Sequence, residues 1–192
     1  MSQKLVYKSS IAICLWMAGL SFSQAFATEY KSIASDKSTI AFTFKQMGVA
    51  MDGNFKKFSA QISFDTSKPQ LAKAAFDIDL TSIDTGSPAD EEAQSKAWFN
   101  TKVFPKATFV ATQIKPTTAN QFSVTGNLTI KGQTKEVKFP LQYSSQGNNG
   151  SFTGSVIMHR ADFSIGEGSW AKFDVVANDI QINFNISAVS DK

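Results

Sequence analysis

One short stretch of this chain concentrates the residues that could do chemistry. His159, Arg160, Asp162 and Ser164 stand close together, and Gly166-Glu167-Gly168-Ser169-Trp170 follows directly. Histidine, acid and serine are the parts of a nucleophilic triad. A triad, however, needs the base against the nucleophile and the acid behind the base, and closeness in sequence supplies neither. His159 shares the parity of Thr153 and Ser155, the wet side of its strand, so it reads as a surface histidine. It is the sole histidine, and no transition-metal site is expected around it. The glycines precede a strand rather than a helix and carry an acid between them, which argues against a phosphate cradle. Asp90, Glu91 and Glu92 form the second charged group, read as the solvated first turn of a helix. Arg160 keeps two readings. It pairs with Asp162 to fix the loop to a rim, the preferred one, or it contacts a phosphate or carboxylate headgroup.

The elements around these residues are short and alternating. Phe58, Ala60, Ile62 and Phe64 alternate with Ser59, Gln61, Ser63 and Asp65. Phe122, Val124, Leu128 and Ile130 alternate with polar neighbours, as do Ile180, Ile182, Phe184 and Ile186. In a strand, successive side chains point to opposite faces, so each segment has one apolar and one wet side. Such strands can close into a barrel that is apolar inside and soluble outside. A container for an apolar molecule follows more readily than an enzyme.

The first residues stand apart from this pattern. Lys4 and Lys8 precede an apolar run over residues 11–20, and Ala25-Phe26-Ala27 has the small-x-small form of a signal-peptidase site. Spanning a bilayer takes about 20 apolar residues, so the run is too short. Cys14 lies inside that run behind the bulky Ile13, which disfavours lipidation. Residues 1–27 are expected to be a cleaved signal peptide, residues 28–192 one mature domain, and the destination the periplasm. Cleavage leaves 17 basic and 16 acidic residues, a formal charge of +1, and with it no electrostatic case for nucleic acid. The only cysteine leaves as well, and with it any disulfide or thiol nucleophile. A chain of this size buries roughly 70% of its unfolded surface, enough for one core.

The alternation predicts eight strands, near residues 39–45, 53–65, 73–83, 107–114, 121–130, 135–143, 151–159 and 174–189. Between the third and fourth, Ser87-Pro88-Ala89-Asp90 predicts a helix capped by Ser87 and ending near Phe99 or Asn100. Lys131-Gly132-Gln133 signals a hairpin. Pro140 lacks a donor and predicts a bulge or an edge.

A resemblance then becomes specific. Gly48-Val49, Gly53-Asn54-Phe55, Phe58 and Phe64-Asp65 begin it, and Phe104-Pro105-Lys106-Ala107-Thr108-Phe109 and Gly126-Asn127-Leu128-Thr129-Ile130-Lys131-Gly132 continue it. Arg160-Ala161-Asp162-Phe163 and residues 166–170 close the set. In this order the chain resembles the YceI-like family of exported, lipocalin-like polyisoprenoid-binding proteins. The resemblance implies a single eight-stranded antiparallel barrel with one short helix between strands 3 and 4, holding a long isoprenoid or similar lipid. Two positions depart from the pattern. Ser164 stands where glycine is common, and Lys172-Phe173 precedes Asp174 where an acid often lies nearer the tryptophan.

Parity gives the expected apolar lining as Phe42, Phe44, Phe64, Phe76, Ile78, Phe122, Phe139, Met158, Ile180 and Phe184. Trp98, Arg160, Asp162 and Trp170 are the expected rim or headgroup contacts. The expected ligand is a polyisoprenoid, isoprenoid quinone or fatty-acid derivative. No cofactor, metal or nucleic acid is expected; a transient inner-membrane contact and a monomeric or homodimeric state are. Two rivals come from other classes: a stress-response interaction protein with a solidly packed barrel, and a lipid-modifying enzyme, which inward parity supports poorly.

Overall fold

The computed structural model describes residues 28–86 and 88–190. The signal segment and the expected cap Ser87 lie outside the described residues. The strands are β1 (Glu29–Ile33), β2 (Thr39–Gln46), β3 (Val49–Phe55), β4 (Phe58–Asp65), β5 (Lys73–Asp79) and β6 (Ile83–Asp84). Helix α1 (Ala89–Gln94) precedes β7 (Lys106–Thr118), β8 (Gln121–Ile130), β9 (Gln133–Gln146), β10 (Asn149–His159) and β11 (Asp179–Ser190).

These segments group into eight antiparallel strands, because the first three are each interrupted once. β1 and β2 both run along β11, with Ile33 opposite Ala188 and Thr39 opposite Asn185. The turn Ser35–Lys37 separates them, and Ser38 repairs the break by donating to the Ala34 carbonyl and accepting from the Ser187 amide. β3 and β4 part at Lys56 and Lys57, whose amides donate to the carbonyl and hydroxyl of Ser82. β5 and β6 part at the turn Leu80–Ser82, where Asp79 accepts from the Thr81 amide. The ring closes where β1 pairs with both β4 and β11. Closure pairs the two ends of the sheet with each other, so unpaired edge remains only in short stretches of the described wall.

Three local expectations change and a fourth narrows. The helix stops at Gln94, because Ser95 turns extended and the chain reaches Asn100 through turns that carry Trp98 and Phe99 over the barrel end. The last strand begins at Asp179; among the described residues the segment before it pairs with a strand through one isolated bridge, Val176 to Gln46. β7 runs on to Thr118, through irregularities in its register with β8. Pro140 makes no bulge against β8, where it pairs with Ser123, and it sits where the β9–β10 ladder has just ended at Leu141 and Gly154. The edge reading is the one the barrel uses.

One end of the barrel is filled with rings. Phe64 packs edge-on against Phe122 and Phe152 at 5.5 and 5.0 Å, and Tyr30 meets Phe152 at 5.9 Å. Tyr30 and Tyr143 bring their hydroxyls to 3.0 Å, so these two buried polar atoms satisfy each other. Burial and that partner push the Tyr30 pKa well above the usual tyrosine range.

Candidate functional site

Above this aromatic plug the barrel is hollow. The cavity has a volume of about 300 Å³ and is walled almost wholly by apolar side chains. Solid packing, the premise of the interaction-protein rival, is not what the interior shows. Nine of the ten residues expected from parity line it: Phe42, Phe44, Phe64, Phe76, Ile78, Phe139, Met158, Ile180 and Phe184. Phe122 is the exception and a correction. It has the inward parity but sits low in the barrel, buried in the plug against Phe64, so it does not reach the void. Parity fixes a residue's face, not its height.

The polar residues of the lining are few: Gln46, Lys73, Thr85, Glu92 and Arg160. Gln46, Ala89 and Glu92 are exposed as well as lining, so the void reaches solvent between β2 and α1, and exposed Lys73 also lines it at the start of β5. The α1 carboxylates are only partly a solvated turn. Asp90 accepts from the amide and hydroxyl of Thr85, at 2.8 and 2.7 Å, and Glu92 accepts from the Trp170 indole at 3.0 Å. The alternating pattern could not reveal Thr85, Ala89, Glu92 and Ala93 as lining, since they lie off the strands.

The loop over residues 160–178 closes this end, and Arg160 is its post. The side chain is only 1% exposed. Its Nη1 donates to the carbonyls of Ile165 and Gly166 at 2.8 and 3.1 Å. Its Nη2 donates to those of Trp170, Lys172 and Val176, at 2.7, 3.1 and 3.0 Å. Nε donates to Ala177 at 3.2 Å. Burial holds the guanidinium pKa below its ordinary value. Six carbonyl dipoles around a buried cation offset much of its desolvation. The expected Arg160–Asp162 pair does not form. Asp162 turns outward instead, 3.6 Å from Nδ1 of His159, whose Nε2 lies 3.4 Å from Asp179, all three exposed. With every guanidinium nitrogen committed to the main chain, the loop-fixing reading of Arg160 stands and the direct headgroup contact has no donor left.

Trp98 and Trp170 both line the cavity and meet edge-on at 5.5 Å. Arg160 lies 5.5 Å from the Trp98 ring and 5.1 Å from that of Phe173. Lys131, read from sequence only as part of a turn, is the second post. Its buried ammonium donates to Glu167 at 2.7 Å, to the Ser164 carbonyl at 2.6 Å and to the Lys96 carbonyl at 3.1 Å. Ser164 takes a left-handed conformation, φ +55°, which explains why glycine suits that position. Its carbonyl belongs to Lys131, and the His159–Asp162–Ser164 triad is not assembled.

A family profile for the YceI-like domain matches residues 32–188. The chain belongs to the YceI-like family. A UPF0312 protein of Pseudomonas putida is 28% identical over 187 residues, covering 93% of this chain and 97% of its own. A UPF0312 protein of Yersinia enterocolitica is 32% identical over 152 residues, covering 78% and 77%. Among solved structures, Burkholderia cenocepacia BcnA is 37% identical with a TM-score of 0.80, covering 82% of this chain and all of that one. A polyisoprenoid binding domain from Saccharophagus degradans shares the fold at 15% identity and a TM-score of 0.62, covering 86% of this chain and all of that one. The eight-stranded antiparallel barrel with one short helix is therefore the family fold.

Proposed function

We propose that this YceI-like protein is an exported carrier whose barrel holds the apolar chain of a lipid: a polyisoprenoid, isoprenoid quinone or fatty-acid derivative. One observation carries the reading, an apolar void above an aromatic plug that opens to solvent beside α1. Burying each CH2 gains about 0.8 kcal/mol, so a chain binds tightly with few polar contacts. A volume of about 300 Å³ lies at the small end of ligand pockets, which suits a slender tail. The polyisoprenoid binding domain of Saccharophagus degradans, which shares this fold, supports the isoprenoid class. Export to the periplasm rests on Ala25-Phe26-Ala27 and the short apolar run before it. Binding rather than catalysis is favoured because the polar lining groups serve structure: Arg160 holds carbonyls and Glu92 holds an indole.

The two tryptophans of residues 28–192, Trp98 and Trp170, both line the cavity, so intrinsic fluorescence reports its occupancy. Titration with a long-chain isoprenol should shift their emission saturably. A titration that leaves the emission flat, in protein shown to be folded, would count against the proposal.

A further inference from the structure

The β2–β3 hairpin extends beyond the closed wall. Among the described residues β3 has β6 as a second neighbour only at Asn54 and Phe55, so its stretch from Val49 to Gly53 has β2 alone. The pairing carries the inward face out past the barrel. Phe44 and Gln46 line the cavity, and opposite them stand Met51 and Val49. Val49 is 62% exposed, and Met47 at the tip is 76% exposed. Met47 and Gly48 form the two-residue turn with φ of +49° and +82°. Asparagine is the usual first residue of such a turn. A methionine there costs backbone strain and exposes an apolar side chain, a combination that points to use at an interface.

A second segment joins this tip. The Met47 amide donates to the Val175 carbonyl at 2.7 Å and the Ala177 amide to the Lys45 carbonyl at 2.9 Å. Phe173, 50% exposed, and Val175 add to the apolar surface. The formal charge around it is balanced: Lys45 and Lys172 stand with the exposed carboxylates of Asp52 and Asp174, which accept from the neutral Thr43 hydroxyl and Val175 amide. Apolar side chains rimmed by charges of both signs match zwitterionic headgroups above acyl chains.

We propose that the tip formed by Met47, Val49, Met51, Phe173 and Val175 docks the protein on a lipid bilayer, so that cavity and membrane share one apolar surface during transfer. This rests on the carrier reading, and the experiment separates the two. Cosedimentation with phosphatidylcholine vesicles, with and without phosphatidylglycerol, is compared for the unaltered protein, Met47→Asp/Val49→Asp and Lys45→Gln/Lys172→Gln. The acidic pair should lower vesicle partitioning at least tenfold yet keep the isoprenol titration and the melting temperature. The glutamine pair should weaken binding to anionic vesicles only, because Asp52 and Asp174 are then unbalanced. A milder Met47→Ser should fall between. Equal partitioning of the unaltered protein and the acidic pair, or none by either, overturns the docking site. So does a homodimer of the unaltered protein that the acidic pair dissolves, because the tip would then seat a second copy. Loss of isoprenol binding by the unaltered protein would count against the carrier reading alone.

Discussion

The guanidinium of Arg160 holds the main-chain carbonyl of Trp170 at 2.7 Å, and the indole of the same tryptophan donates to Glu92 of α1 at 3.0 Å. One residue thus ties the closing loop to its post on one side and to the helix on the other. The open end of the cavity is a braced rim rather than a loose lid.

Arg160→Ala would strand several buried carbonyls at once. It should cost about 3 kcal/mol or more, a fall in melting temperature of roughly 6–12 °C for a domain of this size. Arg160→Lys should recover only part of it, because an ammonium has three donors for six acceptors. The ratio of affinities for a phosphorylated isoprenoid and its neutral alcohol should stay constant in whatever fraction remains folded. A selective loss of the phosphorylated ligand, with the melting temperature intact, would restore the headgroup reading.

Tyr30 makes the fold sensitive to alkali. Its folded pKa lies above the ordinary tyrosine value near 10, raised first by burial and then by the Tyr143 hydrogen bond. Above pH 10 the unfolded chain releases this proton while the native state retains it, so stability present at lower pH is lost as pH rises. Urea unfolding should show a decline beginning near pH 10 that is shallower in Tyr30→Phe. Parallel declines in both proteins would show that Tyr30 is not the cause.

Gly53 leaves room for the ring of Phe42, which occupies the space a Cβ would need. Gly53→Ala should destabilise by about 1–3 kcal/mol. Most of that cost should vanish in a Phe42→Leu background, a coupling of about 1 kcal/mol in a double-mutant cycle. Strict additivity would mean that the ring and the missing Cβ do not compete.

Much of this architecture was legible because alternation reports faces directly. Phe76 and Ile78, or Ile180 and Phe184, could be placed inward from spacing alone. The failures have a common cause in tertiary contacts. Phe122 shares the parity of cavity residues, and only the height of Phe64 and Phe152 shows it to be part of the plug. Asp162 is the nearest acid to Arg160 in sequence, yet carbonyls from six other loop residues take every guanidinium nitrogen. The β2–β3 hairpin went unread because Met47-Gly48 lacks the asparagine that usually marks such a turn.

The central claim is that the void holds a lipid chain, and mass spectrometry of the organic extract of the natively purified, folded protein tests it most directly. The account predicts a stoichiometric long-chain lipid of the isoprenoid class. Phe139→Trp, which narrows the cavity wall, should carry much less of it at a stability cost of about 1–3 kcal/mol, whereas Phe122→Trp, in the plug, should keep its lipid in the molecules that remain folded. An extract without lipid, from protein that also fails to take up isoprenol, would contradict the account.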